Sequence, residues 1–214
     1  MLDYSIGEAE SLVLKAYRGA GFSWGMAQEA GHAAAWMSMY GLPALEQFAQ
    51  LLPAIDGKRI SEIVPLMHIP GKWSNPTGTL CPVVAGTAFA DGDYDLSDSG
   101  LELENVLQPL ILLPFLSQSD RTIEVAIDEE NYLCGANICA CIAGTAGNIS
   151  GPTCTSVSVK QSDRVLENTL AFSQRAIVDS AAVDQLNIFA HRTYVPASEA
   201  SRLAGAGAGL LDND

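Results

Sequence analysis

Polar and apolar positions change rhythm along this chain of 214 residues. At the start, Ala9, Leu12, Val13 and Ala16 recur at three- and four-residue intervals, the spacing of one buried helical stripe. Ser5-Ile-Gly-Glu8 precedes them as a capping box, with serine and glutamate each satisfying an amide of the other. Arg18-Gly-Ala-Gly21 breaks the helix, because paired glycines favour a turn. Ser23 can cap a second helix over Trp24 to Met39, with Ala27, Ala30, Ala34 and Met37 on its apolar side. Gly25 and Gly31 each cost that helix about 1 kcal/mol against alanine, which close approach of a neighbouring backbone would offset. Pro43, at a first-turn position, opens a third helix that ends at Leu52, before Pro53.

Residues 54–80 are mixed, rich in proline and glycine, with a short helix expected over Ile60 to Met67. From Cys81 the runs become short, apolar and strand-like: Cys81 to Phe89, Val106 to Leu116, Thr122 to Ile127, Tyr132 to Ile142 and Thr153 to Val159. None is followed by a clear helix, which favours an antiparallel sheet. Pro109 and Pro114 donate nothing to a ladder, so the second run belongs at an edge or at bulges. Arg175 to Val178 adds a further short strand, and Asp179 caps a last helix over Ala181 to His191. The expected fold is α+β: an N-terminal helical lobe over 1–53, then over 54–214 a mostly antiparallel sheet with a C-terminal helix and ordered tail. The two parts are also compatible with one continuous domain.

Composition narrows the function classes. Hydrophobic residues make up 48% of the chain, enough for a packed core. Eleven basic residues stand against 25 acidic ones, a net charge of −14 that repels nucleic acid and anionic membrane surfaces. The start, Met-Leu-Asp-Tyr-Ser-Ile-Gly-Glu, shows no export signal, and five cysteines do not suggest a disulfide framework, so a cytoplasmic location is expected.

Several motifs carry less chemistry than they suggest. Asp91, Asp93, Asp95, Ser97 and Glu102 have calcium-loop spacing, but Leu96 occupies the glycine position, so a solvated acidic turn is the better account. Cys134, Cys139, Cys141 and Cys154 lack the second close pair of a zinc site; on a single strand Cys134 would face away from Cys139 and Cys141. They read as small buried hydrophobes. Gly144 to Gly151 leads into a strand rather than a helix, so a hairpin turn suits it better than a phosphate cradle. His32 shares a helix face with Gln28 and Trp36 and reads as a packed or surface residue. No metal or cofactor is expected.

The C-terminal stretch is different. His191, Arg192, Tyr194, Ser198, Glu199, Ser201 and Arg202 crowd into twelve residues of a chain poor in positive charge. Arginine forks bind carboxylate or phosphate through paired hydrogen bonds, so Arg192 and Arg202 could clamp a small anion, with Ser23 and Trp24 as an opposite wall. Alternatively, the arginines pair with Glu199 or Asp212 and pin the C-terminus. Two functions follow: binding of a small anionic metabolite, with or without a reaction on it, or homo-oligomeric assembly through the tail Gly205-Ala-Gly-Ala-Gly209.

Arg-Gly-Ala-Gly-Phe-Ser-Trp-Gly-Met-Ala-Gln-Glu-Ala-Gly over 18–31, and Arg-Thr-Tyr-Val-Pro-Ala-Ser-Glu-Ala-Ser-Arg-Leu-Ala-Gly-Ala-Gly-Ala-Gly over 192–209 with its closing Asp-Asn-Asp, resemble an uncharacterised bacterial family, the domain-of-unknown-function family 3726. The resemblance implies no activity. The opening helices are also faintly similar to the N-terminal lobe of the non-Rossmann malate/lactate dehydrogenases. Gly41-Leu42-Pro43 stands near the place of that family's serine-histidine-glycine run, so its nicotinamide chemistry is not implied.

Overall fold

A computed structural model describes residues 1–92, 96, 100–143, 156–167 and 169–194. The chain opens with a strand, β1 (Leu2–Ser5), and enters α1 (Ile6–Gly19) through the expected capping box. Ser5 Oγ accepts from the Glu8 amide at 3.2 Å, and Glu8 Oε2 accepts from the Ser5 amide at 2.8 Å. Ala9, Val13, Ala16 and Tyr17 form the buried stripe. The second helix, α2 (Trp24–Met39), starts on Ser23, whose hydroxyl accepts from the Met26 amide at 3.3 Å. It crosses α1 at Gly31, where a Cβ would lie 3.2 Å from the Glu10 carbonyl oxygen. Gly25 meets nothing within 4 Å, so close approach explains one of those two glycines.

The third helix, α3 (Ala44–Ile55), runs past its expected end and carries Pro53 inside it. Proline forfeits one backbone bond there, but Leu51, Leu52 and Ile55 are fully buried and hold the last turn in place. Instead of a helix over 60–67, a 3-10 turn over Ile60–Glu62 precedes a small hairpin of β2 (Leu66–Ile69) and β3 (Lys72–Ser74).

Two expected strands are helical. Residues 82–90 form α4 (Pro82–Ala90), with Pro82 in the first turn where a missing amide costs nothing. Then, after β4 (Leu101–Glu104), residues 109–116 form a 3-10 turn over Pro109–Leu112 that runs into α5 (Leu113–Leu116). Both segments are buried on nearly every side, so neither shows the polar face that distinguishes a helix from a buried strand. They meet tightly: a Cβ on Gly86 would sit 2.4 Å from the Phe115 ring.

The sheet is built from β5 (Ile123–Ile127), β6 (Glu130–Gly135), β7 (Ile138–Ala143) and β8 (Ser156–Gln161) together with β2 to β4. Its order is β2-β3-β4-β8-β5-β6-β7; β3 and β4 run parallel and every other neighbouring pair antiparallel. The run over 132–142, expected as one strand, folds back at Ala136-Asn137. Both residues have positive φ, 50° and 63°, as a type I′ hairpin turn requires. The expected strand over 175–178, β9 (Arg175–Val178), leaves this sheet and pairs with β1. Asp179 then caps α6 (Ser180–Ala190), accepting from the Ala181 amide at 3.3 Å. The fold is α+β, with buried side chains of helices and sheet joined in one hydrophobic cluster. No helix among the described residues is long and apolar enough to cross a membrane.

Candidate anion-binding hollow

The end of α1 passes directly beneath the end of α6. Gly19 makes this possible, because a Cβ there would fall 1.8 Å from the Phe189 carbonyl oxygen. This crossing brings the 3-10 turn His191–Thr193 against the exposed face of α1 and the first residue of α2. Between them lies a hollow of about 480 Å³ lined by Leu14, Lys15, Arg18, Gly19, Trp24, Arg192, Thr193 and Tyr194.

Of the expected site residues, Trp24, Arg192 and Tyr194 converge on this hollow. His191 stands beside it, its ring 5.4 Å from that of Tyr194. Ser23 caps α2 and lines a neighbouring hollow with Lys58 and Ile60 instead. Ser198, Glu199, Ser201 and Arg202 lie outside the described residues, as do Asp212 and the glycine-rich tail.

Arg192 is engaged. Its two terminal nitrogens donate to Asp56 Oδ1 at 2.8 Å and Oδ2 at 3.0 Å, and its guanidinium lies 4.4 Å over the Phe189 ring. The Asp56 hydrogen bonds hold the Arg192 pKa above its ordinary value. Among the described residues its partner is therefore Asp56; Glu199 and Asp212 lie outside them, and the fork that would clamp an anion is largely occupied. Two cations that the sequence reading passed over share the hollow. The Arg18 guanidinium lies 4.8 Å over the Trp24 ring and donates one bond to the Phe22 carbonyl. Lys15, exposed one turn earlier on α1, has no ion-pair partner among the described residues. Trp24 and Tyr194 are 62% and 56% exposed, with Arg18 over one face of the Trp24 ring and His191 beside that of Tyr194. Their i, i+3 spacing on α1 was the available signal for Lys15 and Arg18, but basic residues on an exposed helical face carry no mark of a site.

The other motifs resolve differently. His32, read as a packed or surface residue, is exposed, with Nε2 3.7 Å from Glu10 of α1. Of the calcium-like loop, Asp91 caps the C-terminus of α4 and Glu102 lies in β4; Asp93, Asp95 and Ser97 fall outside the described residues. Among the described residues, no three His, Cys, Asp or Glu side chains are placed to hold a metal ion. Cys134 and Cys139 do not face apart, because the hairpin turn puts them on adjacent strands as direct partners.

Residues 4–81 match DUF3726, a family described as a protein of unknown function. The match includes Lys15, Arg18 and Trp24 and ends before the C-terminal segment that resembles the same family. No curated protein matches. Among solved structures, malate dehydrogenase from Entamoeba histolytica is similar at 12% identity with a TM-score of 0.43, over 73% of this chain and 49% of that one. This chain therefore spans about half the length of that dehydrogenase, and a likeness so slight carries no argument about chemistry.

Proposed function

We propose that this DUF3726-containing protein is a cytoplasmic binder of a small anionic metabolite, held between α1, the start of α2 and the turn after α6. The observation that carries this reading is the gathering of Lys15, Arg18 and Arg192, three of the chain's 11 basic residues, around one hollow in a molecule of net charge −14. Asp56 takes up the Arg192 charge, so Lys15 and Arg18 meet the anion, and the Trp24 and Tyr194 rings flank its carbon skeleton. Carboxylates and phosphates suit such a pair of donors equally.

A thermal-shift screen against mono- and dicarboxylates, inorganic phosphate and sugar phosphates tests this. A ligand at a hundred times its Kd adds about 2.7 kcal/mol of stability. Lys15→Ala and Arg18→Gln should each weaken the response about tenfold in Kd, the loss of one charge-assisted hydrogen bond. If no anion raises the melting temperature, or Lys15→Ala responds as the wild type does, the reading fails.

A further inference from the structure

Near the other end of α2 from the hollow, the β6–β7 hairpin places two cysteines in bonding register. Gly135 and Ile138 close the two-residue turn, and Cys134 and Cys139 are the next pair out. In such a hairpin that pair is of the non-hydrogen-bonded kind, with Cα atoms about 4.5 Å apart and side chains at their closest. Backbone bonding agrees: the Cys139 carbonyl turns away from β6 and accepts from the Leu170 amide at 3.0 Å. The two sulfurs lie 2.8 Å apart, both fully buried. A disulfide needs Cα atoms about 4.4–6.8 Å apart and a sulfur separation of about 2.05 Å, so the thiols are within about 1 Å of bonding without backbone movement.

We propose that Cys134 and Cys139 form a reversible dithiol–disulfide pair whose oxidant is a hydroperoxide. Both thiols are buried, so the oxidant reaches them through local opening of the hairpin, and Cys139, on β7 at the edge of the described sheet, is assigned the first step. Its thiolate attacks a peroxide oxygen; the O–O bond breaks, one water leaves, and Cys139 becomes a sulfenic acid. The Cys134 sulfur then attacks the Cys139 sulfur, the S–O bond breaks, and hydroxide leaves with the Cys134 proton as a second water. Two thiols and one hydrogen peroxide thus give one disulfide and two waters. Two equivalents of a small thiol reverse the step by exchange. Burial pushes the Cys134 thiol well above its ordinary pKa, so Cys134 still holds the proton that leaves with the departing hydroxide. The bond would pin the turn at Asn137, whose carbonyl accepts from Trp36 Nε1 at 3.0 Å and the Tyr40 hydroxyl at 3.3 Å, and so would tie the hairpin's redox state to α2. None of this depends on the anion-binding reading.

The test exposes the reduced full chain to hydrogen peroxide, quenches with acid, and alkylates in denaturant. The expected product is about 2 Da lighter before alkylation, with two thiols protected and recovered by dithiothreitol. Tandem mass spectrometry should place the bond between Cys134 and Cys139, and the double variant Cys141→Ala, Cys154→Ala should form it equally well. Cys139→Ser should abolish it. Recovery of all five cysteines as free thiols, a bond from Cys134 to Cys141 or Cys154, or oxidation of single cysteines without a bond would overturn the proposal.

Discussion

Gly19→Ala replaces one hydrogen by a methyl at the crossing that builds the hollow. The new Cβ would stand 1.8 Å from the Phe189 carbonyl oxygen and 2.6 Å from its carbon. Ordinary contact lies near 3.5 Å, so one helix must move by roughly 1.7 Å. No rotamer change relieves the overlap, because the obstacle is backbone. Nor is α6 free to slide: Asp179 caps its start, Val183, Leu186 and Phe189 are buried along it, and Arg192 is forked onto Asp56 just past its end. Overpacking of this kind costs about 1–3 kcal/mol and sometimes more, while alanine's helix preference over glycine returns up to about 1 kcal/mol. With a rigid obstacle the cost falls at the upper end, leaving a net loss of about 2 kcal/mol and a fall in Tm of about 4–8 °C for a chain of this size. Gly25→Ala is the matched control, since its Cβ meets nothing within 4 Å; it should be neutral or stabilising by up to about 1 kcal/mol. Urea denaturation followed by far-UV circular dichroism reads both. Wild-type stability for Gly19→Ala, or equal damage from Gly25→Ala, would refute the packing argument.

Three further outcomes are open to measurement. Ser5→Ala removes half of the capping box on α1 and should cost about 0.5–2 kcal/mol in the same urea titration. Ala136→Gly should stabilise the protein: the left-handed φ of 50° costs alanine about 1–2 kcal/mol, more than the roughly 0.5–1 kcal/mol of extra chain entropy that glycine loses on folding. The Arg175 hydrogen bond lowers the Asp3 carboxyl pKa, and the Ser5 hydroxyl and amide lower that of Glu8. Their contribution is complete above the ordinary carboxylate pKa and is lost as pH falls through the depressed values, so Tm should drop with acid below about pH 4, and drop less in Asp3→Asn.

The parts of the fold that sequence revealed are those where polar and apolar residues contrast. The stripe of α1 and the caps at Ser5, Ser23 and Asp179 each combine a local hydrogen bond with a one-sided apolar pattern, and each forms as expected. Contrast is missing over 82–90 and 109–116, where burial on nearly every side removes the periodicity; Pro109 and Pro114, expected as strand defects, open helical turns, as Pro82 does in α4. The turn at Ala136-Asn137 escaped notice because neither residue is glycine, which usually marks a type I′ turn. Without that turn, Cys134 and Cys139 would lie on opposite faces of one strand; with it they are cross-strand partners.

Of the candidate hollow, Trp24, Arg192 and Tyr194 were legible in the sequence, whereas Lys15 and Arg18 were not. Scarcity of positive charge in an acidic chain drew attention to Arg192, and Trp24 does face it across the hollow. The neutralising partner could not be anticipated, because Asp56 lies 136 positions away and is brought in by the packing of α3 against α6. That pairing changes the chemistry. An arginine already bidentate on a carboxylate and stacked on Phe189 positions the turn and anchors Tyr194 beside α1. An incoming anion would have to displace Asp56 to use the same fork, whereas Lys15 has no described carboxylate to give up. Asp56→Asn therefore separates two roles. If Arg192 serves as an anchor, the variant loosens the turn and weakens anion binding; if Arg192 is a clamp held in reserve, the freed fork strengthens it. We expect weakening, read as a higher Kd for the anion that Lys15→Ala also impairs, because a held geometry contributes more here than a third charge on a turn released from Asp56.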